Sequence, residues 1–225
     1  MSFLNGAVVK AIATLRATNG DAELTVGETP IVRTLFIRKG ELVGGFSNDP
    51  EERIGTLVAQ SKALAPELIE AIAKGAAVKG KMLGDALIAE GLLSPTELVG
   101  LLEKQTLGRF GKTLTMPGAV RIKQFSTMRG VVRKPIGVLL VATFRETLPV
   151  GVIETLGLFA AGTAYALNCK ESDLNELGLT PHETRAVRRL AQGESLNQLS
   201  TGPQGEQTMR VVLALIALGA LRAKP

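Results

Sequence analysis

A repeated unit in the middle of the chain constrains the fold more than any other feature of this sequence. Residues 53–64 match residues 82–93 at an offset of 29 residues, and the copies continue with Ala65-Pro66 and Ser94-Pro95 and a second apolar run. Proline is tolerated in the first turn of a helix, and a capping box begins at Ser94, so each copy is predicted to form a helical hairpin. Two copies can bury apolar faces that neither buries alone. The sequence therefore predicts a tandem helical-hairpin unit over residues 53–105.

Strand-like runs precede this unit. They cover Ala22–Val26, Val32–Arg38 and Glu41–Ser47, with turn residues between them, Gly27 to Pro30 in one case and Lys39-Gly40 in the other. Residues 22–47 are therefore predicted to form a small antiparallel sheet.

The rest of the chain completes a two-part prediction. Lys112–Met116 and Ala119–Phe125 are predicted to form a β-hairpin, because the Pro-Gly pair between them fits a type II turn. We expect an α+β protein in which residues 1–125 form a sheet with the tandem unit. Residues 126–225 are expected to form a mostly helical, winged-helix-like carboxyl part, with helices predicted at 135–146, 149–156, 194–199 and 206–218 and a helix start at Thr180–Glu183.

The residue types needed for catalysis and metal binding are scarce. Cys169 and His182 are the one cysteine and the one histidine among 225 residues. A single cysteine excludes an intramolecular disulfide and a cysteine metal cluster, and a single histidine leaves no second imidazole for zinc. Lys170 could lower the pKa of the adjacent Cys169 thiol slightly, but a lone thiol without a base is far more often structural. No Walker-type phosphate loop occurs. We expect neither enzyme activity nor a cofactor nor a bound metal.

The ends and the apolar runs of the sequence predict a cytoplasmic protein. The amino terminus lacks the features of a signal peptide. The longest apolar stretch, Leu148–Leu167, is interrupted by Pro149, Glu154 and glycines. Such breaks favour buried structure over a membrane span.

A one-sided charge run suggests a binding surface. Between residues 104 and 145 the sequence has nine basic residues and no acidic one. Such a run attracts an acidic protein, a phosphate-bearing ligand or an anionic membrane if its side chains converge, and merely keeps the surface solvated if they scatter. Alternation sends Arg121 and Lys123 to one strand face and Ile122 to the other. The predicted partner-binding residues are Arg121, Lys123, Arg129, Arg133 and Lys134.

Residues 4–125 resemble the PatA amino-terminal-like domain, a bacterial module common in signalling proteins. The resemblance is carried by Leu35–Val43, which is similar to the strand–basic–Gly–acidic hairpin of that family, and by the Arg53-Ile54-Gly55 and Leu83-Gly84 positions of the repeat. It implies a strand pair after the repeat and a setting in bacterial signalling. Residues 173–221 resemble the small winged-helix-like cluster found downstream in such proteins.

The tandem unit also resembles the amino-terminal domain of type II secretion and type IV pilus assembly ATPases, some of which bind cyclic di-GMP. Arg53 and Gly55 match the motif in the first copy, and Leu83, Gly84, Gly91 and Gln105 match it in the second, whereas Met82 replaces the second Arg. Carried over by this resemblance, the nucleotide-ligand residues would be Arg53, Gly55, Gly84 and Gln105.

Together these features predict a non-catalytic adaptor in bacterial signalling or cell-polarity control. The expected partner is a protein, of the receiver-domain or small-GTPase type. One alternative is a cyclic di-GMP-binding effector. The other is a DNA-binding regulator that contacts phosphates through Arg185, Arg188, Arg189 and Arg210. Against nucleic acid, the helix in the recognition position, 206–218, is apolar, and base readout needs polar side chains.

Overall fold

A computed structural model of the chain describes residues 4–125, 132–147, 163–200 and 204–224. The described residues fall into two units. The first is bounded by Met1–Gly20, Lys39–Glu41 and Lys134–Pro225, and the second by Asp21–Arg38 and Leu42–Arg133. The sequence predicts a single amino-terminal part over residues 1–125, whereas in the structure the first 20 residues group with the carboxyl-terminal ones.

The five-stranded sheet confirms the predicted strands between residues 22 and 47. Its strand order is β4-β1-β2-β3-β5. Strand β1 pairs antiparallel with β2 on one side and with β4 on the other. The strands are β1 (Ala22–Val26), β2 (Arg33–Arg38), β3 (Glu41–Ser47), β4 (Val120–Lys123) and β5 (Lys134–Pro135).

Alternation along the strands decides which face of the sheet is buried. Leu24 of β1 lies opposite Leu35 of β2, and both side chains are fully buried. Thr25 and Thr34 form the next pair on the other face, where their hydroxyl oxygens lie 2.9 Å apart and share a hydrogen bond. One face of the sheet therefore belongs to the core of the second unit, and the other is polar and partly exposed.

The tandem helical-hairpin unit is confirmed. Its helices are α2 (Ile54–Lys62), α3 (Pro66–Val78), α4 (Leu83–Ala89) and α5 (Pro95–Leu114). A Cβ on Gly55 of α2 would lie 3.0 Å from a methyl carbon of Ile69 on α3. A Cβ on Gly84 of α4 would lie 2.8 Å from a methyl carbon of Leu98 on α5. The two hairpins repeat the same glycine contact at the same spacing, so the internal repeat of the sequence is also a repeat of packing.

The hairpin predicted over residues 112–125 is wrong. Helix α5 continues to Leu114, because the buried positions Thr106, Phe110 and Thr113 keep the helical spacing past the end of the repeat. Residues 120–123 do form a strand, but it pairs with β1. The turn residue Gly118, with a φ of 116°, introduces β4 rather than closing a hairpin.

The first unit is mostly helical, as predicted for the carboxyl-terminal part, and the chain is an α+β protein. Helix α10 is its most buried helix, with Val211 to Leu215 inside, and it packs against α1 and α6. The predicted start of α8 is confirmed, because Thr180 and Glu183 form a capping box. The predicted helix at 149–156 lies outside the described residues. The elements are α1 (Gly6–Ala17), α6 (Ile136–Thr147), β6 (Tyr165–Leu167), α7 (Glu171–Glu176), α8 (Pro181–Ala191), α9 (Leu196–Ser200), α10 (Gly205–Ala217) and β7 (Leu221–Ala223).

Candidate functional site

Strand β4 carries the most exposed part of the predicted binding surface. It is the last strand on its side of the described sheet. Arg121, Ile122 and Lys123 are all exposed, and the apolar Ile122 leaves 56% of its surface accessible. Thr25 lies opposite Arg121, and the core residue Leu24 lies opposite Ile122. The predicted alternation is thus confirmed: the two cations share the polar face, and Ile122 lies at the margin of the apolar one.

Contacts before and after β4 hold it in place. Gly118 lies so close to Gly27 that a Cβ on Gly118 would come within 3.0 Å of the Gly27 Cα. After the strand, the ring of Phe125 packs edge-on against Phe36 with ring centroids 6.0 Å apart. The Arg38 guanidinium lies 4.8 Å from the Phe125 centroid, a cation–π contact. The strand is held at both ends while its middle residues remain open to solvent.

The structure gathers only part of the predicted basic surface. Arg121 and Lys123 form no ion pair within 4 Å of another residue in the part of the chain that the structure describes, although the acidic Glu23 of β1 lies opposite Lys123. Lys134 belongs to β5, at the other end of the strand order, and Arg133 is the exposed residue before it. Arg129 lies outside the described residues. Of the five predicted residues, the structure therefore places Arg121 and Lys123 together, on one face of β4.

Three other members of the basic run are held in ion pairs, which the sequence did not reveal. Arg109 and Lys112 lie beside the Glu52 carboxylate, at 3.6 Å from Oε2 and 3.1 Å from Oε1 respectively. Arg145 donates two hydrogen bonds of 2.8 Å to the carboxylate of Glu183. Their acidic partners come from other parts of the chain, so a count along the sequence overstated the free positive charge.

Glu52 is the centre of a buried charge cluster in the second unit. It ends the 3-10 turn Pro50–Glu52, whose cap Asp49 accepts a hydrogen bond from the Glu51 amide. Arg33 of β2 donates to Glu52 Oε1 from Nε at 2.9 Å and from Nη2 at 2.5 Å, and Nη2 also donates to Asp49 Oδ2 at 2.9 Å. All three side chains are buried. The cluster ties the sheet to the turn that precedes the tandem unit.

The cluster also joins helix α5 to the same turn. Arg109 donates to the Glu52 carbonyl at 2.9 Å and to the Gly45 carbonyl at 2.6 Å. Burial alone would raise the pKa of Glu52, but hydrogen bonds from Arg33 and Lys112 outweigh it and hold this pKa at about 2. Burial lowers the pKa of the Arg109 guanidinium, and Glu52 opposes that shift. With every charged member engaged by its neighbours, we interpret this cluster as structural.

Of the four nucleotide-ligand residues suggested by resemblance, three have structural roles and the fourth, Arg53, is exposed. Gly55 and Gly84 are the close-packed positions of the two hairpins. Gln105 donates from Nε2 to the Glu52 carbonyl at 2.7 Å. Arg53 is exposed at the start of α2 and forms no side-chain capping bond. Gly55 and Gly84 therefore serve the packing of the two hairpins, and Gln105 ties α5 to the turn that precedes them.

The arginines proposed for phosphate contact are largely occupied. Arg188 pairs with Glu171 at 3.0 Å, and Arg189 pairs with Glu194. Arg210 pairs with Glu206 and donates to the Arg145 carbonyl. Arg185 is exposed. Helix α10 buries its apolar run from Val211 to Leu215, as the sequence predicted for the helix in the recognition position.

The single cysteine and histidine are not part of a reactive arrangement in the described residues. His182 is exposed in the first turn of α8. Burial, with help from the Asp173 carboxylate, raises the pKa of the Cys169 thiol, so the predicted lowering by Lys170 is wrong. No group of three or more His, Cys, Asp or Glu side chains in the described part of the chain could hold a metal ion. No helix among the described residues is long and apolar enough to cross a membrane.

Comparison of the chain with protein-family models, curated proteins and solved structures gives no match. The function of the chain is therefore inferred from its own geometry.

Proposed function

We propose that this chain is a non-catalytic protein-binding adaptor that captures an extended acidic segment of its partner along strand β4. The observation that supports this proposal is the combination of three exposed side chains, Arg121, Ile122 and Lys123, on the terminal strand of the described sheet. A terminal strand offers backbone hydrogen-bonding groups to an added strand, which is a recurrent mode of peptide recognition.

Side-chain alternation defines the segment that would fit. A strand added beside β4 presents alternate residues to the face of Arg121 and Lys123 and the residues between them to the face of Ile122. Acidic residues at alternate positions would pair with the two cations, and a branched apolar residue between them would cover Ile122. The expected partner segment therefore has an acidic–apolar–acidic pattern.

Charge gives this surface a further role in the rate of binding. The chain has a formal net charge of +5. Exposed cations steer an acidic partner toward the site and raise the association rate more than they increase the final affinity. The setting suggested by the resemblance to signalling modules agrees with a transient partner of this kind, such as a receiver domain or a small GTPase.

The proposal is tested with a synthetic peptide of alternating glutamate and valine, and with a peptide of alternating lysine and valine as the probe control. We expect the acidic peptide to bind, and hydrogen exchange to slow at the β4 amides in its presence. The variant Arg121→Glu/Lys123→Glu should slow association roughly tenfold at low salt and flatten its salt dependence, because it reverses two exposed charges.

A matched variant separates the site from general electrostatics. Lys79→Glu/Lys81→Glu reverses two exposed lysines on the turn between α3 and α4 and should leave association nearly unchanged. Both variants should melt at the temperature of the wild type. Equal slowing by both variants, or an acidic peptide that binds without protecting β4, would rule out the edge strand as the binding site. The same two variants can then be compared in the capture of partners from cell extract.

A further inference from the structure

We infer that the first unit binds a single-chain amphiphile with a carboxylate head, of the fatty-acid class, in an apolar groove between helices α1 and α10. The groove has a volume of about 470 Å³. Ligand sites in proteins commonly enclose about 300–1,000 Å³. The site lies in a different unit from β4, so this inference is independent of the proposed function.

Small residues create the groove. Its walls include Gly6, Ala13 and Ala17 of α1 and Ala217 at the end of α10, and its floor includes the almost fully buried Phe144. A Cβ on Gly6 would meet no other atom within 4 Å. Larger side chains at these positions would fill the space from within the protein. The sequence instead leaves open a depression that reaches the core.

The lining selects an apolar ligand body. Among the side chains that line the groove, Lys10 and Thr14 are the polar ones. The Thr14 hydroxyl donates its proton to the Lys10 carbonyl at 3.0 Å. The walls therefore offer little to a polar molecule, whereas a hydrocarbon chain would cover apolar surface that water now contacts.

The charge at the groove selects the head group. Lys10 is exposed at the groove and forms no ion pair or hydrogen bond through its side chain with another described residue. Helix α1 contains no acidic residue. The acidic residue of α10, Glu206, lies two turns before the lining residues of that helix and pairs with Arg210. An anionic head group could therefore pair with Lys10, and a cationic one would be repelled by it.

The size of the groove favours one chain over a partner helix. Helix α1 has 12 residues and a length of about 18 Å at the helical rise. A helix of that length occupies on the order of 1,400 Å³ at a diameter of about 10 Å. The volume of the groove, about 470 Å³, is well below that of such a helix, so a partner helix would stand mostly outside it, whereas a single alkyl chain can lie within it.

The test uses dansyl-labelled undecanoic acid as the fluorescent probe, with dodecanoate and dodecylammonium as competitors of equal chain length. Ala13→Leu should fill the groove and weaken probe binding at least tenfold while the melting temperature stays equal or rises. Ala7→Leu, on the same helix but outside the groove, should bind as the wild type does. Lys10→Glu should weaken dodecanoate binding roughly fivefold and improve that of dodecylammonium.

Any one of the following outcomes overturns the inference. It is wrong if the wild type does not bind the probe, if Ala13→Leu binds as well as Ala7→Leu, or if dodecylammonium competes as strongly as dodecanoate. It is also wrong if the wild type is a dimer that Ala13→Leu dissociates without any binding of dodecanoate, because the groove is then a contact between two copies. If Ala13→Leu fails to fold, the surface variant Lys10→Glu decides, and unchanged preference for the two competitors refutes the inference.

Discussion

Removing the charge of Glu52 is the sharpest perturbation of the second unit. The variant Glu52→Gln keeps the size of the side chain but removes the carboxylate that Arg33, Arg109 and Lys112 share. Two of these three cations are buried. Asp49 remains as a partner for Arg33, and Arg109 keeps its two backbone carbonyls. The variant therefore leaves excess positive charge in a site that water does not reach freely.

The burial of the ion pairs and the lowered pKa of Glu52 give the same order of magnitude for the expected loss of stability. Breaking a buried ion pair by removing one partner costs about 3–5 kcal/mol. The pKa of Glu52 is held at about 2 against the ordinary 4.5, and at 1.36 kcal/mol per pKa unit this corresponds to roughly 3 kcal/mol. We expect Glu52→Gln to lower the free energy of unfolding at pH 7 by about 3 kcal/mol.

The pH dependence follows from the sign of the shift. Because the folded pKa of Glu52 lies below the unfolded one, its contribution is fully present above the unfolded value of 4.5 and is lost as pH falls toward about 2. The wild type should lose stability over this window more steeply than Glu52→Gln. The difference between the two proteins should therefore shrink from about 3 kcal/mol at pH 7 to near zero at pH 2.

The assay is urea unfolding followed by circular dichroism at a series of pH values between 2 and 7. Glu51→Gln is the matched control, because Glu51 is the exposed neighbour in the same turn. If Glu52→Gln and Glu51→Gln unfold at the same urea concentration at pH 7, the buried cluster does not stabilise the fold. If the free energy of unfolding of Glu52→Gln falls between pH 5 and pH 2 as steeply as that of the wild type and of Glu51→Gln, the lowered pKa of Glu52 is refuted.

Further predictions concern the tandem unit and the ion pair of the first unit. Gly75→Ala, where a Cβ meets nothing within 4 Å, should stabilise the protein by about 0.5–1 kcal/mol through helix propensity. Gly84→Ala places a Cβ 2.8 Å from a methyl carbon of Leu98, which must move, so this variant should be less stable than Gly75→Ala in thermal unfolding. Equal effects at both glycines would contradict the repeated packing contact. Glu183→Gln should cost about 3 kcal/mol at pH 7, because Glu183 is buried and paired. Burial alone would raise the pKa of Glu183, but the hydrogen bond from Arg145 helps lower it below 4.5. The difference in the free energy of unfolding between the wild type and Glu183→Gln should therefore shrink as pH falls below 4.5. The exposed Glu206→Gln is its control and should change stability by less than about 1 kcal/mol.

Local signals in the sequence were sufficient to predict most of the helices and strands. The strands between residues 22 and 47 are bounded by turns whose residues act within a few positions of one another. Helices α3, α5 and α8 each begin at a proline preceded by a residue in extended conformation. The tandem unit was visible because a repeated contact imposes a repeated sequence. These features depend on neighbours along the chain, and a single sequence contains that information.

Non-local pairing explains what the sequence did not reveal. Nothing in residues 120–123 indicates that β1 would be their partner. The ion pair between Arg109 and Glu52 joins residues more than fifty positions apart, and each looked like ordinary surface charge. One signal was available: Thr106, Phe110 and Thr113 continue the helical spacing beyond Gln105, which marks α5 as longer than the repeat and places Arg109 on its buried face.

Strand β4 enters the sheet from far along the chain, and this has a consequence for the order of folding. Residues 48–119 separate it from β3, and closing a loop of that length costs on the order of 4 kcal/mol of chain entropy. The β1–β2 pair and the helical hairpins consist of contacts between near neighbours and can form without this closure. We therefore expect β4 to join the sheet late in folding and to detach more easily than β2. While β4 is detached, the freed side of β1 can accept a strand from another molecule. The length of the segment 48–119 therefore also affects how readily two copies of the chain exchange strands.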